Sequence, residues 1–436
     1  MTVDVIGAGL AGTEAANALS SYGYDVNLFE MKPISYTKAH HSKNFAELVC
    51  SNSFKAERLS SAAGLLKAEA RLMGSLVLTV ADRCKVEAGN ALAVDRELFS
   101  KEITEQIRNN KRITVVTEEV DHIDTDKATI IATGPLTSGR LAETLMGMTG
   151  GMLSFYDAAS PIVSFESINK GKVFSKNRYD SEHEGDYINC PFDKESYCGF
   201  VEELKHAKTA ILHEPDEDIP VYEGCIPIER LAKRGTDTMR FGPLKPVGLT
   251  DPVTGRRPYA VVQLRKEDKE GRLLNLVGFQ TNLSFSEQKR VFSLIPGLEH
   301  AEFVRYGVMH RNSFINAPEV LNKTLNLKNY PNIYLAGQLT GFEGYIESAI
   351  SGLLAAHFMH IGLERNMLSD IPSEYTMCGA LLRYITTINT DFQPMGANMG
   401  ILPPLNTPIK DRKERYSALA ARALSSLREY LNIYVN

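Results

Sequence analysis

The sequence has little that would place it in a membrane or an oxidising compartment. It contains no run of about 18 apolar residues, and its N-terminus lacks the basic and apolar segments of a signal peptide. The six cysteines include no Cys-x-x-Cys pair, so neither a disulfide framework nor a cysteine metal site is indicated. We therefore expect free thiols, no metal site, no membrane association and a cytoplasmic location.

An excess of positive charge is also lacking. The formal net charge is −5, so the overall charge does not indicate a nucleic-acid binder. A polyanionic partner would need a local basic face against that background. The length of 436 residues is enough for two or three domains, or for one domain with a large insertion.

The first thirty residues carry a strand, a glycine-rich turn, a helix pattern and a second strand. Thr2–Ile6 predicts a buried strand, and Asp25–Glu30 predicts the next parallel strand. The turn between strand and helix has Gly-x-Gly-x-x-Gly spacing, which lets a pyrophosphate approach a helix N-terminus, and Glu30 could accept hydrogen bonds from ribose hydroxyls. The alternative is a tight turn without a ligand. The candidate dinucleotide contacts are Gly7, Ala8, Gly9, Leu10, Ala11, Gly12 and Glu30.

Two later motifs decide between NAD and FAD, which share this turn. The segment Ala132-Thr133-Gly134 ends a predicted strand, and Tyr334-Leu335-Ala336-Gly337-Gln338 precedes a long apolar helix pattern. Both resemble motifs of the large FAD-binding family that includes glutathione reductase, and that resemblance implies that Thr133, Gly134, Gly337 and Gln338 contact FAD. Most of that family has Asp where this chain has Gln338. Since a second strand–Gly-x-Gly-x-x-Gly–helix unit is lacking, we expect a nicotinamide cofactor to visit the protein without a Rossmann domain of its own.

The middle of the chain differs from its two ends in composition and in hydrophobic pattern. From about residue 180 to residue 316 it is richer in Pro, Gly, Tyr and charge, with short alternating runs, and a buried strand pattern returns at 332–336. We therefore expect an α/β protein with a Rossmann-like, glutathione reductase-like FAD-binding domain and an inserted α+β domain. The expected bounds are 1–184 and 319–436 for the FAD-binding parts and 185–318 for the insertion. Helices are predicted at 61–74, 95–109, 344–362 and 410–431.

Eight further stretches carry a narrower pattern. They are Glu47–Lys55, Leu92–Glu97, Asp157–Val163, Glu223–Glu229, Met239–Pro246, Gly307–Asn312, Ala336–Tyr345 and Phe392–Pro403. On these stretches the chain resembles the TrmFO family, the folate- and FAD-dependent tRNA uracil-5-methyltransferases, along essentially its full length. The resemblance implies transfer of a methylene from 5,10-methylenetetrahydrofolate to C5 of the T-loop uridine at position 54, with reduction to methyl. It also implies FAD, NADH or NADPH as the reductant, and tRNA, through its T-arm, as the partner.

The chemistry of uracil methylation selects the candidate catalytic residues. A thiolate that adds to C6 makes C5 nucleophilic, and a base must later remove the C5 proton. The resemblance implies that Cys225 is the nucleophile and that Cys50 lies beside the flavin as a second catalytic thiol, although the division of roles stays open. It also implies that His310 contacts the folate and that Tyr345 lies at the flavin ring. The other thiols are expected to be buried and structural: Cys84, Cys190, Cys198 and Cys378.

Contacts to tRNA would come from local basic clusters. The candidates are Lys55 with Arg58, Arg256-Arg257, Arg265-Lys266, Lys289-Arg290 and the basic residues of the C-terminal helix. Three other functions stay open: an NAD(P)H-dependent flavin oxidoreductase with a small-molecule substrate, a tRNA wobble-uridine modification enzyme resembling MnmG, and a non-catalytic RNA-binding module that a flavin stabilises. The MnmG family shares the Ala-Gly-Gln motif but is considerably longer. The sequence predicts no oligomeric state.

Overall fold

The computed structural model describes residues 1–137, 139–179, 185–210, 226–365, 371–390 and 392–434. The strands in this part of the chain are β1 (Thr2–Ile6), β2 (Asp25–Glu30), β3 (Ser53–Ala56), β4 (Lys85–Val86), β5 (Ala91–Val94), β6 (Ile113–Thr117), β7 (Thr129–Ile131), β8 (Leu153–Ala158), β9 (Ile162–Ser164), β10 (Phe174–Ser175), β11 (Tyr187–Phe192), β12 (Ala260–Lys266), β13 (Leu273–Leu276), β14 (Phe303–Arg305), β15 (Met309–Phe314) and β16 (Ile333–Leu335).

Helices of very different length connect these strands. They are α1 (Leu10–Ser21), α2 (Ala62–Leu72), α3 (Leu76–Arg83), α4 (Arg96–Asn109), α5 (Gly139–Thr149), α6 (Lys194–His206), α7 (Ile228–Arg234), α8 (Thr238–Phe241), α9 (Phe285–Phe292), α10 (Ala317–Val320), α11 (Tyr345–Arg365), α12 (Met377–Thr386) and α13 (Arg412–Tyr434). The four helices predicted from the sequence correspond to α2, α4, α11 and α13 and are confirmed.

A five-stranded parallel sheet joins the two ends of the chain. Its order is β16-β7-β1-β2-β6, and every neighbouring pair is parallel. Val5, Leu28 and Ile130 on its inner strands are fully buried, as expected of a sheet covered on both faces. The predicted β–α–β unit is confirmed, since β1 and β2 pair from Thr2–Asp25 to Ile6–Phe29. The carboxyl ends of β1, β2, β7 and β16 therefore meet at one edge.

A second, antiparallel sheet has its own hydrophobic core. Its strand order is β10-β11-β12-β13-β9-β14, and α6, α7 and α9 pack with it around Phe192, Tyr197, Phe200, Phe279 and Phe292. The antiparallel pair β8–β15 leads from the first sheet into the second and back. Strands β9 and β10 precede residue 185, where the inserted segment was expected to begin. The predicted domain bounds stay a prediction.

Helix α11 is the central helix of the first core. It crosses α1 so closely that a Cβ added at Gly352 would lie 2.0 Å from the carbonyl oxygen of Ala11. The stretch Tyr345–Glu364 is long and apolar enough to cross a membrane, but 78% of its most apolar window is buried inside the protein. That burial is typical of a core helix.

Two buried carboxylates attach other helices to this core. Glu14 on α1 accepts hydrogen bonds from the backbone N–H groups of Leu76 and Val77 at the start of α3. Glu69 on α2 accepts hydrogen bonds from those of Met377 and Cys378 at the start of α12. Each carboxylate satisfies N–H groups that a helix cannot pair internally. Burial nevertheless raises the pKa of both carboxyl groups to about 7.

The α1–α11 crossing predicts opposite effects for two glycine substitutions. Gly352→Ala should destabilise the protein by about 1–3 kcal/mol, because the new methyl group pushes α11 away from α1. Gly199→Ala is the matched control, since Gly199 is exposed on α6 and its added Cβ meets no described atom within 4 Å. This change should stabilise the protein by about 0.5–1 kcal/mol through helix propensity alone. Thermal unfolding midpoints test both, and equal shifts of the same sign would contradict the crossing geometry.

Candidate active site

The Gly7–Gly12 turn uses its three glycines in two ways. An added Cβ would lie 2.7 Å from the carbonyl oxygen of Ala132 at Gly7, where φ is +97°, and 1.7 Å from the carbonyl oxygen of Gly7 at Gly12. These two glycines are needed for the backbone to pack. At Gly9 an added Cβ would meet no atom of the described residues within 4 Å, because it would point into an open cavity. Gly9 is also the N-cap of α1, and no described side chain caps that helix.

The cavity beside this turn encloses about 460 Å³ at the carboxyl edge of the parallel sheet. It brings together residues from the two ends of the chain that the sequence pointed to separately. The predicted site residues that line it are Gly7, Ala8, Gly9, Leu10, Ala11, Glu30, Cys50, Thr133, Gly134, Gly337, Gln338 and Tyr345. Gly12 lies behind the wall, where it supports the turn.

Glu30 is held where the sequence placed it, at the end of β2. Its Oε2 accepts a hydrogen bond from the Ala8 N–H at 2.9 Å, and its Oε1 accepts one from the Lys32 N–H at 2.9 Å. Each carboxylate oxygen has a further lone pair, and the carboxylate borders the cavity. Glu30 therefore fixes the turn and still presents acceptors to a ligand.

The backbone N–H and carbonyl groups of Cys50 are both hydrogen-bonded. The Cys50 N–H donates to the Tyr345 hydroxyl at 2.8 Å, and the Cys50 carbonyl accepts from Arg305 Nη2 at 2.9 Å. Burial and the nearby Asp157 carboxylate raise the pKa of the Cys50 thiol to about 12, while the guanidinium groups of Arg96 and Arg305 act in the opposite direction. The thiol is therefore protonated at neutral pH.

A cluster of carboxyl groups lies at the start of α11 on the same side of the cavity. The Gln338 amide donates a hydrogen bond to Glu343 Oε2. Burial and the Asp157 carboxylate raise the pKa of Glu343 well above its usual range. Next to it, Lys55 Nζ donates to Glu347 Oε1 at 3.0 Å. This arrangement can hold or accept a proton beside Cys50.

Two predicted site residues lie wholly or partly outside the described part of the chain. Cys225 lies outside the described residues. The residues that follow it are described, and the Ile228 N–H donates to the carbonyl of Gln280 at 2.7 Å, a residue that lines the cavity. His310 lies on β15, where its backbone pairs with Asp157 of β8, another lining residue; its side chain is outside the described part.

Two expectations from the sequence were wrong. Cys198 is exposed rather than buried, because it lies on the outer face of α6. Arg265 is not a surface charge, since it is buried on β12 and donates to the Asn52 side chain at 3.0 Å. Lys55 also pairs with Glu347 in the cavity wall, but its side chain is half exposed, so a tRNA contact by Lys55 and Arg58 stays a prediction. Arg256, Arg257 and Lys289 are exposed, as expected.

Several lining residues were not predicted as site residues. They are Lys32, His40, Glu47, Asp157, Gln280, Asn312, Glu343 and Ser348. Glu343 could have been found, because it stands between the Ala336-Gly337-Gln338 motif and Tyr345. Asp157 and Asn312 fall inside stretches already quoted for the family resemblance, where no role was assigned to them. Glu47 likewise begins the quoted stretch Glu47–Lys55, whereas the other lining residues carry no local signal.

Known protein families and sequences match this chain over most of its length. A family model described as Glucose inhibited division protein A matches residues 2–366. The methylenetetrahydrofolate–tRNA-(uracil-5-)-methyltransferase TrmFO of Caldicellulosiruptor bescii is 52% identical over 438 residues, with 99% of each chain covered. That of Listeria monocytogenes is 52% identical over 429 residues, with 98% of each chain covered. The chain belongs to the TrmFO family. The family predicted from the sequence is thereby confirmed.

A longer protein of known structure shares the fold of this chain. GidA of Aquifex aeolicus, in its form II crystal, superimposes with a TM-score of 0.70 at 15% identity. The match covers 98% of this chain but 73% of that one, whereas the TrmFO relatives match from end to end. The predicted fold class is confirmed by this likeness together with the parallel sheet.

The setting of Cys50 predicts a distinct pH dependence. Below the thiol pKa the thiolate fraction rises about tenfold per pH unit, so alkylation of Cys50 by iodoacetamide should accelerate without a plateau up to about pH 10. Exposed Cys198 is the internal control and should react first at neutral pH. Peptide mass spectrometry of time courses measures both thiols. A plateau for Cys50 below about pH 8 would contradict the raised pKa.

Proposed function

We propose that this chain transfers a methylene group from 5,10-methylenetetrahydrofolate to C5 of a tRNA uridine and reduces it to a methyl group. The observation that carries the proposal is 51–52% identity to enzymes named for this activity, over 98–99% of this chain. The cavity at the carboxyl edge of the parallel sheet supports it, because ligands of open α/β sheets bind at this edge.

The residues around the cavity fit FAD. Gly9 opens onto the cavity, the uncapped start of α1 offers N–H groups and a positive dipole end to a pyrophosphate, and Glu30 offers acceptors to a ribose. Thr133, Gly134, Gly337, Gln338 and Tyr345 would hold the remainder. The flavin, once reduced, supplies the electrons that turn the methylene into a methyl group.

The chain's own residues supply the rest of the chemistry. We assign to the Cys225 thiolate the addition to C6 of uracil, which places electron density on C5. Cys50 serves as the second thiol at the flavin end of the cavity, and His310 contacts the folate. After transfer, the proton at C5 must move to a base. Cys50 and Glu343 both border the cavity, and burial raises the pKa of each, so the deprotonated form of either group would be a stronger proton acceptor than an exposed thiolate or carboxylate.

Finer features of the reaction follow from the family resemblance alone. We infer that the target is the T-arm uridine at position 54, that NADH or NADPH visits the cavity to reduce the flavin, and that the protein acts in the cytoplasm. Exposed basic residues such as Arg256, Arg257 and Lys289 are available to contact the tRNA phosphates.

Incubation with unmodified tRNA, NADH and methylenetetrahydrofolate, followed by nucleoside analysis, tests the function. The wild-type protein should produce 5-methyluridine and should trap a covalent complex with tRNA that carries 5-fluorouridine at the target, because fluorine cannot leave C5 as a cation. Cys225→Ala should do neither, and the surface variant Cys198→Ala should do both. A wild-type protein that oxidises NADH but leaves tRNA unmodified would favour the small-molecule flavin oxidoreductase instead.

A glycine substitution tests the cofactor site separately. Gly9→Val should fold, because a Cβ at this position meets no described protein atom within 4 Å, but should purify without flavin absorbance, because the side chain occupies the space of the pyrophosphate. Gly147→Val on exposed α5 is the control and should keep its flavin. Flavin absorbance per chain and a thermal melt measure the two properties. A folded Gly9→Val protein with full flavin content would refute the assignment.

A further inference from the structure

Cys50 is positioned by residues from both sheets of the molecule. Arg305 ends β14 of the second sheet and donates from Nη2 to the Cys50 carbonyl at 2.9 Å. Arg96 begins α4 and approaches the same carbonyl with its Nη2 at 3.4 Å. From the opposite side, the Tyr345 hydroxyl accepts the Cys50 N–H at 2.8 Å. The peptide groups on both sides of the Cys50 Cα are therefore fixed.

The second sheet reaches this segment through a further pair of contacts. Glu267, just after β12, accepts from Arg96 through Oε2 at 2.9 and 3.2 Å. The Asn52 side chain donates to the Lys266 carbonyl at 3.0 Å and accepts from Arg265 Nε at 3.0 Å. Residues 50–52 thus contact two strands of the second sheet, although they belong to the first core.

We propose that Arg305 is a positioning residue for the Cys50 thiol, and that through it the second sheet sets where the thiol lies in the cavity. The proposal rests on the proposed function in one respect, namely that Cys50 takes part in the reaction.

The polar composition of this contact argues against a purely structural role. Arg305 Nε and Glu267 Oε1 are buried and make no hydrogen bond with any residue that the structure describes. Leaving such groups unpaired is costly, and a buried charge network is often no more stable than an apolar replacement. Arg305 and Arg96 instead direct charged N–H donors at one acceptor, the Cys50 carbonyl oxygen.

The charges around the thiol give Arg305 a second effect. Asp157 on β8 and Glu343 before α11 raise the pKa of the Cys50 thiol, whereas Arg96 on α4 and Arg305 on β14 lower it. Loss of Arg305 would therefore leave the Cys50 carbonyl with the longer, 3.4 Å contact to Arg96 in place of two donors, and would leave the thiol in a more negative surrounding. Both changes impair a step that needs the thiol or thiolate at a defined place.

The experiment compares Arg305→Met and Arg305→Lys with the control Arg272→Met. Arg272 is exposed on the hairpin between β12 and β13 and pairs with Asp268 and Glu270. Hydrogen exchange of the peptide covering residues 48–52, flavin content, and kcat and KM for tRNA are measured on each flavin-loaded protein. Arg305→Lys keeps the positive charge and an N–H donor group, so its effects on exchange and kcat should be intermediate. It also allows the same measurements if Arg305→Met folds poorly.

We expect Arg305→Met to keep its flavin and to exchange the amides of the 48–52 peptide faster, by about tenfold, because loss of one charge-assisted hydrogen bond at the Cys50 carbonyl loosens this segment. Its kcat should fall by about ten- to a hundredfold with KM for tRNA little changed, because misplacement of a reacting group lowers the rate of the chemical step. The control should match the wild type. Unchanged exchange, or faster exchange with unchanged kcat, would overturn the proposal. Failure of the wild type to methylate tRNA would instead refute the function and leave the exchange result intact.

Discussion

The close backbone contact between the Gly7–Gly12 turn and the end of β7 is the constraint on which the site depends. Side chains are excluded at Gly7 and Gly12. A Cβ added at Gly7 would collide with the carbonyl oxygen of Ala132, and one added at Gly12 would collide with the carbonyl oxygen of Gly7. That contact brings the ends of β1 and β7 together, and the crossing at Gly352 brings α11 down onto α1. Both close contacts, the one at the turn and the one at Gly352, are needed for the first forty residues and the segment after β16 to line one cavity.

The cavity is divided into two chemically different ends. At the turn, backbone N–H groups and Glu30 present hydrogen-bonding groups suited to a dinucleotide. Near the start of α11, the Asp157 carboxylate of β8 raises the pKa of both Cys50 and Glu343, and Glu343 also raises that of Cys50. Like-charged groups that share a site keep at least one proton among them. The first end therefore offers hydrogen-bonding groups, and the second end holds groups whose pKa is raised.

The sequence could predict those parts of the site that depend on local geometry. The turn, Glu30, Thr133, Gly134, Gly337 and Gln338 each follow directly from a strand end, so their place at the carboxyl edge follows from the strand pattern. Asp157, Gln280 and Arg305 could not be found in this way. Strand β8 pairs with β15 in a separate sheet, and β14 and the loop before α9 belong with the second sheet, and no local pattern records the register of either sheet. Arg265 shows the same limit: an Arg-Lys pair reads as surface charge, and only the packing of β12 against Asn52 buries it.

The raised pKa of Cys50 also bears on how the two sheets cooperate. A thiol that stays protonated at neutral pH is a poor nucleophile and a poor target for adventitious oxidation. It becomes reactive only when its surroundings gain positive charge or lose negative charge. Asp157 pairs through β8 with the strand that carries His310, and Arg305 belongs to the second sheet. The pKa of the thiol therefore depends on groups from β8 and from the second sheet, which act on it in opposite directions.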